Sequence, residues 1–141
     1  MANRLRWAAL LHEVGFAISH NDYHKHSAYL IQHSDIAGFS TSDQERVATL
    51  VLAQRGNLKK VSQALEDHEG AASILSLRLA VVLAHARRTV ELPDWSVKFG
   101  KTIELGLASD WLTRHPLTQY LLEEEATHWE RVGVTFALRP L

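Results

Sequence analysis

Arg4–Ser40 reads RLRWAALLHEVGFAISHNDYHKHSAYLIQHSDIAGFS. Leu5, Ala8, Ala9, His12 and Phe16 follow helical spacing, which predicts a helix from an Asn3 N-cap to about Val14. Gly15 suits the left-handed residue that closes such a helix. SHNDY is turn-rich. His26, Tyr29, Leu30 and His33 then recur at i, i+3, i+4 and i+7, one face of a second helix. The chain therefore opens as packed helices.

Reading outward, Ser42 and Glu45 fit a capping box ahead of a third helix carrying Val47, Leu50 and Val51. Gly56-Asn57 breaks it, and Leu58, Val61 and Leu65 mark a short fourth helix. After a second break at Gly70, AASILSLRLAVVLAHARR is apolar almost all round, the pattern of a central buried helix. Beyond Pro93 the period drops to two. Val97 and Phe99 alternate with polar neighbours, as do Ile103, Leu105 and Leu107, across a Gly100-Lys101 pair suited to a two-residue hairpin loop. Leu117, Leu121, Leu122, Ala126 and Trp129 return to helical spacing, and Val132, Val134, Phe136 and Leu138 alternate again. The expected fold class is mainly α: a helical domain over residues 1–92, then a small β-β-α-β element over 93–141. No internal repeat or low-complexity segment is visible.

The 141 residues suffice for one domain with a core, or a domain with an appendage. Fifteen Lys and Arg balance sixteen Asp and Glu, so overall charge names no partner and any anion site must come from local clustering. With no cysteine, disulfides, thiolate metal sites and cysteine nucleophiles are excluded. That absence fits a cytoplasmic location. No apolar run reaches membrane-spanning length, so membrane insertion is not expected. Serine elbows, phosphate loops and glycine-rich dinucleotide motifs are missing. Without a basic balance or interleaved aromatic and basic residues, nucleic acid is not an expected partner.

Five of nine histidines, His12, His20, His24, His26 and His33, crowd one stretch. His12-Glu13 reads either as half of a metal site or as a core histidine on an apolar stripe. His24, Lys25 and His26 fall near a helix start, where backbone N–H groups and the helix dipole favour anions; plain solvation is the alternative. Arg55, Lys59-Lys60 and Arg87-Arg88 are either solvated faces or a stripe along a polyanion path. Glu123-Glu124-Glu125 reads as an exposed helix face, and Trp7, Trp95, Trp111 and Trp129 as packing residues.

RWAALLHEVG, the following H-K-HSAYLI, S-D-x-x-GFS, ATLVLAQR, LRLAVVLAHAR and the terminal HWERVGVTFAL together resemble the C-terminal region of bacterial exopolyphosphatases. These belong to the family shared with guanosine pentaphosphate phosphohydrolases. The resemblance implies an HD-like helical bundle, lacking its first helices, followed by the small mixed element. Two upstream actin-like ATPase-fold domains would precede it and hold the catalytic residues, so none is expected in this segment and the segment alone should be inactive. An HD metal site needs a late Asp, which falls here at Val81. Valine has no donor atom, so His12 and Glu13 are read as a degenerate pair and no metal is expected on the segment.

The expected function is the C-terminal domain of an exopolyphosphatase that removes terminal phosphate from inorganic polyphosphate, with magnesium serving the parent enzyme. The same role in a guanosine pentaphosphate phosphohydrolase, or a metal-dependent HD phosphohydrolase, are the alternatives. Polyphosphate is the expected partner, gripped by His24, Lys25, His26, Arg55, Lys59 and Arg87 through charge-assisted bonds. A homodimer is also expected. Histidine contributions should strengthen below about pH 6.5 as the rings protonate.

Overall fold

The computed structural model describes residues 2–84 and 93–141. Five helices come first: α1 (Ala2–Leu11), α2 (Tyr23–His33), α3 (Thr41–Leu52), α4 (Ser62–Leu65) and α5 (His68–Leu83). Then follow β1 (Trp95–Phe99), β2 (Thr102–Leu107), α6 (Ser109–Arg114), α7 (Pro116–Glu130) and β3 (Thr135–Pro140). The chain is mainly α with a small C-terminal β element, as expected. It divides into two compact units, Met1–Arg78 and Leu79–Leu141. The boundary expected after residue 92, like Arg87, lies on residues outside those described.

In the first unit α3 packs against both α1 and α2. Ala8, Ile31, Val47, Val51, Leu58, Val61 and Ile74 are buried there. Fully burying each of the larger of these side chains contributes about 1.5–3 kcal/mol. The helix boundaries differ from the pattern reading in instructive ways. α1 begins at Ala2, so Asn3 lies inside it, and it ends at Leu11. Val14–Ala17 then forms a 3-10 turn. Gly15 is not left-handed. It is required by close approach instead: a Cβ there would run into the Tyr23 carbonyl oxygen and the Ser27 amide, and would sit 2.7 Å from Ser27 Oγ. The turn is thus pressed against the first turns of α2.

The capping box of α3 lies two residues earlier than the pattern suggests. Ser40 Oγ accepts from the Asp43 amide at 3.0 Å, and Asp43 Oδ2 accepts from the Ser40 amide at 3.4 Å. The Arg4 guanidinium donates to Asp43 Oδ1 at 3.1 Å, which ties α1 to the cap and favours this choice over Ser42 and Glu45. Gly70 does not break the chain. It sits inside α5, where a Cβ would lie 2.5 Å from the Ala64 carbonyl oxygen of α4. Along α5, Ala71, Ile74, Leu75, Leu77 and Leu79 are buried, and so is Arg78.

In the second unit the strand order is β1-β2-β3, β1 antiparallel and β3 parallel to β2. Gly100 and Lys101 join the strands, but Phe99 lies opposite Ile103, so Thr102 pairs with β3 and not with β1. The crossover to β3 carries two helices, not one. Pro116 stands at the start of α7, where its missing N–H costs nothing, while its ring disfavours helical backbone at His115 before it. Ile103, Leu105, Leu107, Trp111, Leu122, Trp129 and Phe136 are buried. Glu125 is buried too, not exposed with its neighbours. Its Oε2 accepts from the Trp129 indole N–H at 2.9 Å, one helical turn away. Trp95, expected to pack, is half exposed on the edge strand β1.

Candidate functional site

The histidine-rich start of α2 faces the turn that follows α3. Asp22, the residue before α2, adopts a left-handed backbone at φ 52°. Tyr23 packs its ring on Phe16 at 4.3 Å, and the Arg55 guanidinium lies 5.2 Å from the same ring's centre. Such a contact fixes the guanidinium's position while leaving its donors free for an anion. His24 is 6% exposed, and its Nδ1 is buried without a hydrogen-bond partner. Lys25 is exposed, with its ammonium 3.9 Å from Asp22 Oδ2.

The turn Ala53–Gly56 holds two further cations by its carbonyls. Lys60 donates to the Arg55 carbonyl at 2.7 Å, and the buried Arg78 donates to the Ala53 carbonyl at 2.8 Å. Gly56 is left-handed at φ 76°, which folds the turn back over the Lys60 ammonium. An open groove of about 670 Å³ runs past Lys60 toward Arg4, Arg46, Asp67 and Glu69. Charges of both signs line it, so it lacks the single sign of a phosphate path.

Electrostatics mark the Lys60 side as cation-rich. The Lys60 ammonium is pushed down to about 8, first by partial desolvation, then by Arg78, Lys25 and Arg55; Asp22 opposes. His24 is pushed down to about 4, first by burial, then by Lys60 and Arg55, with Lys25 adding and Asp22 opposing. His24 is therefore neutral at pH 6.5, and the expected gain of charge below that pH does not apply to it. Its ring is too enclosed and too close to fixed cations to protonate there.

Of the residues singled out in the sequence, Lys25 and Arg55 lie close enough to His24 to act on it electrostatically, while Arg87 lies outside the described residues. His26 is half-buried and Lys59 exposed; neither is among the charges that shift His24 or Lys60. The sequence pattern offered Lys60 only as the neighbour of Lys59, and did not offer Arg78. Arg78 carried a signal, since a charge inside a helix apolar on all sides must find internal acceptors.

His12 and Glu13 are built into the backbone scaffold. His12 Nδ1 lies 2.5 Å from the Ala9 carbonyl oxygen, so the proton sits on Nδ1, and Nε2 lies 3.4 Å from Glu13 Oε1. The His12 carbonyl accepts from Ser27 Oγ at 2.9 Å and from Gln54 Nε2 at 2.8 Å. Ser27 Oγ in turn accepts from the Gly15 amide at 2.7 Å. One carbonyl therefore joins α1, α2 and the end of α3, next to the cation-bearing turn. Among the described residues no three His, Asp or Glu side chains come together as metal ligands, and Val81 offers no donor.

Residues 1–126 match the family described as Ppx/GppA phosphatase, domain III. A guanosine-5'-triphosphate,3'-diphosphate pyrophosphatase of Pseudoalteromonas translucida (strain TAC 125) is 32% identical over 132 residues, covering 89% of this chain and 26% of that protein. A protein of the same name from Vibrio cholerae is 35% identical over 133 residues, covering 92% of this chain and 27% of its own length. The chain thus spans about a quarter of the length of the curated relatives it matches. On this similarity over nearly its whole length, the chain belongs to the Ppx/GppA phosphatase family and carries that family's domain III.

Proposed function

We propose that this chain holds the phosphate chain of inorganic polyphosphate for a Ppx/GppA phosphatase whose chemistry is done by upstream domains. The observation that carries this reading is that Lys25, Arg55 and Lys60 act on one another's surroundings, with Arg78 adding to the positive field at Lys60 and Asp22 opposing it. Such a surplus of positive charge is costly unless an anion offsets it. A linear polyanion offers one charge per phosphate and engages several spaced cations at once. Magnesium would serve the phosphoryl transfer in the upstream domains, and the segment alone would not hydrolyse substrate. His26, Lys59 and Arg87 would extend the path, and two copies of the parent would pair. The setting would be the cytoplasm; among the described residues no helix is long and apolar enough to cross a membrane.

The names of the relatives favour a second reading, in which the anion is the polyphosphorylated part of guanosine pentaphosphate. Titrating the chain with long-chain polyphosphate and with guanosine pentaphosphate at equal salt separates the two. Tighter binding of polyphosphate supports the first. Equal or tighter binding of the nucleotide supports the second.

A further inference from the structure

We infer that Lys60 is the central contact of this anion site and that a phosphoryl anion binds there together with a proton. The inference rests on the polyanion reading and adds a residue and a linkage to it. Its geometric basis is the turn Ala53–Gly56. Two carbonyls of that turn are committed to cations, Ala53 to Arg78 and Arg55 to Lys60, at 2.8 and 2.7 Å. The Lys60 ammonium is held against Gly56, whose Cβ would lie 3.6 Å away. Arg55 is anchored over Tyr23 rather than drawn off by a carboxylate. The charged groups that shift Lys60 are Arg78, Lys25 and Arg55, with Asp22 opposing, and Arg4, Glu45, Arg46, Asp67 and Glu69 line the groove that Lys60 borders.

An ammonium so placed is stabilised by one carbonyl and opposed by three positive neighbours. Partial desolvation first, and then those positive neighbours, reduce its affinity for its proton to about 8. A bound phosphoryl oxygen supplies the missing negative charge and an acceptor for the free ammonium N–H groups. Binding therefore raises the proton affinity of Lys60 toward the ordinary lysine value. The sign follows directly. The bound state holds more protons than the free state above about pH 8, so anion affinity falls as pH rises there. The neutral His24 beside it is too low to contribute in this range.

The test is calorimetric titration of the 141-residue chain with long-chain inorganic polyphosphate in buffers of different ionisation enthalpy, from pH 7 to 9. Long chains are chosen because their internal phosphates do not titrate in this range. Wild type should take up on the order of half a proton per occupied site near pH 8, with affinity falling toward tenfold per pH unit above it. Lys60→Arg keeps the charge at every pH, so it should bind with the uptake and the pH step removed. Lys60→Gln should bind several-fold more weakly at pH 7 and lack the step, while far-ultraviolet dichroism reports that both variants fold. Binding without net proton uptake, or uptake unchanged in Lys60→Arg, overturns this inference and leaves the polyanion reading intact. Absence of binding at every pH overturns both.

Discussion

Replacing Gly15 by alanine tests whether the His-Glu-x-Gly stretch is a packing device. The added Cβ meets the Tyr23 carbonyl oxygen, the Ser27 amide and Ser27 Oγ. Two of these are backbone atoms at the start of α2, so no rotamer change relieves the overlap. Overpacking of this kind costs about 1–3 kcal/mol. Relief by separation would break the Gly15 N–H bond to Ser27 Oγ and the Ser27 bond to the His12 carbonyl, each worth about 0.5–1.5 kcal/mol. The expected total is roughly 2–6 kcal/mol. In urea unfolding followed by tryptophan fluorescence, with a slope of about 1–3 kcal/mol/M, the midpoint should fall by at least about 0.7 M. A Gly15→Ala variant within about 0.5 kcal/mol of wild type would refute the close-approach argument. A left-handed cap would then be no better an explanation, since Gly15 does not have positive φ.

Other expectations follow from the same interactions. Ser40→Ala removes the N-cap acceptor of α3 and should cost about 1 kcal/mol in thermal unfolding, whereas Ser42→Ala, two residues on, should cost a few tenths. His24, held near 4 in the folded chain against 6.5 for an ordinary histidine, binds fewer protons folded than unfolded. Its contribution to stability is therefore complete above about pH 6.5 and is lost as pH falls toward 4, on the order of 3 kcal/mol at most. His24→Gln should flatten the stability profile between pH 4 and 6.5; an unchanged slope would show that His24 is not the titrating group.

Much of the fold was legible because periodicity is a direct record of burial. The change from helical to alternating spacing at Pro93 marked the start of the small sheet, and α5 announced itself by apolar residues on every side. The misreadings have local causes. Ser40 and Asp43 outcompete Ser42 and Glu45 because Arg4, thirty-nine residues away, reaches Asp43, and no local pattern contains that partner. Gly15 and Gly70 looked like breaks because a glycine demanded by close approach is indistinguishable in sequence from one demanded by positive φ. Glu125 looked like its exposed neighbours because nothing in a run of three glutamates shows which one meets Trp129. For the candidate site, His24, Lys25 and Arg55 could be picked out by clustering. Lys60 could not be separated from Lys59 until the Arg55 carbonyl was seen to hold one of them.

The central claim is that Lys25, Arg55 and Lys60 form one polyanion grip. Its most direct test is the salt dependence of polyphosphate binding to wild type and to Arg55→Ala, measured at pH 7. If three exposed cations each displace condensed counterions much as on single-stranded nucleic acid, the logarithm of affinity should fall with the logarithm of salt at a slope near −2. That is about a 20-fold loss between roughly 50 and roughly 200 mM salt. Arg55→Ala should bind more weakly with a shallower slope. Affinity that is unchanged by salt, or identical in wild type and Arg55→Ala, would contradict the claim.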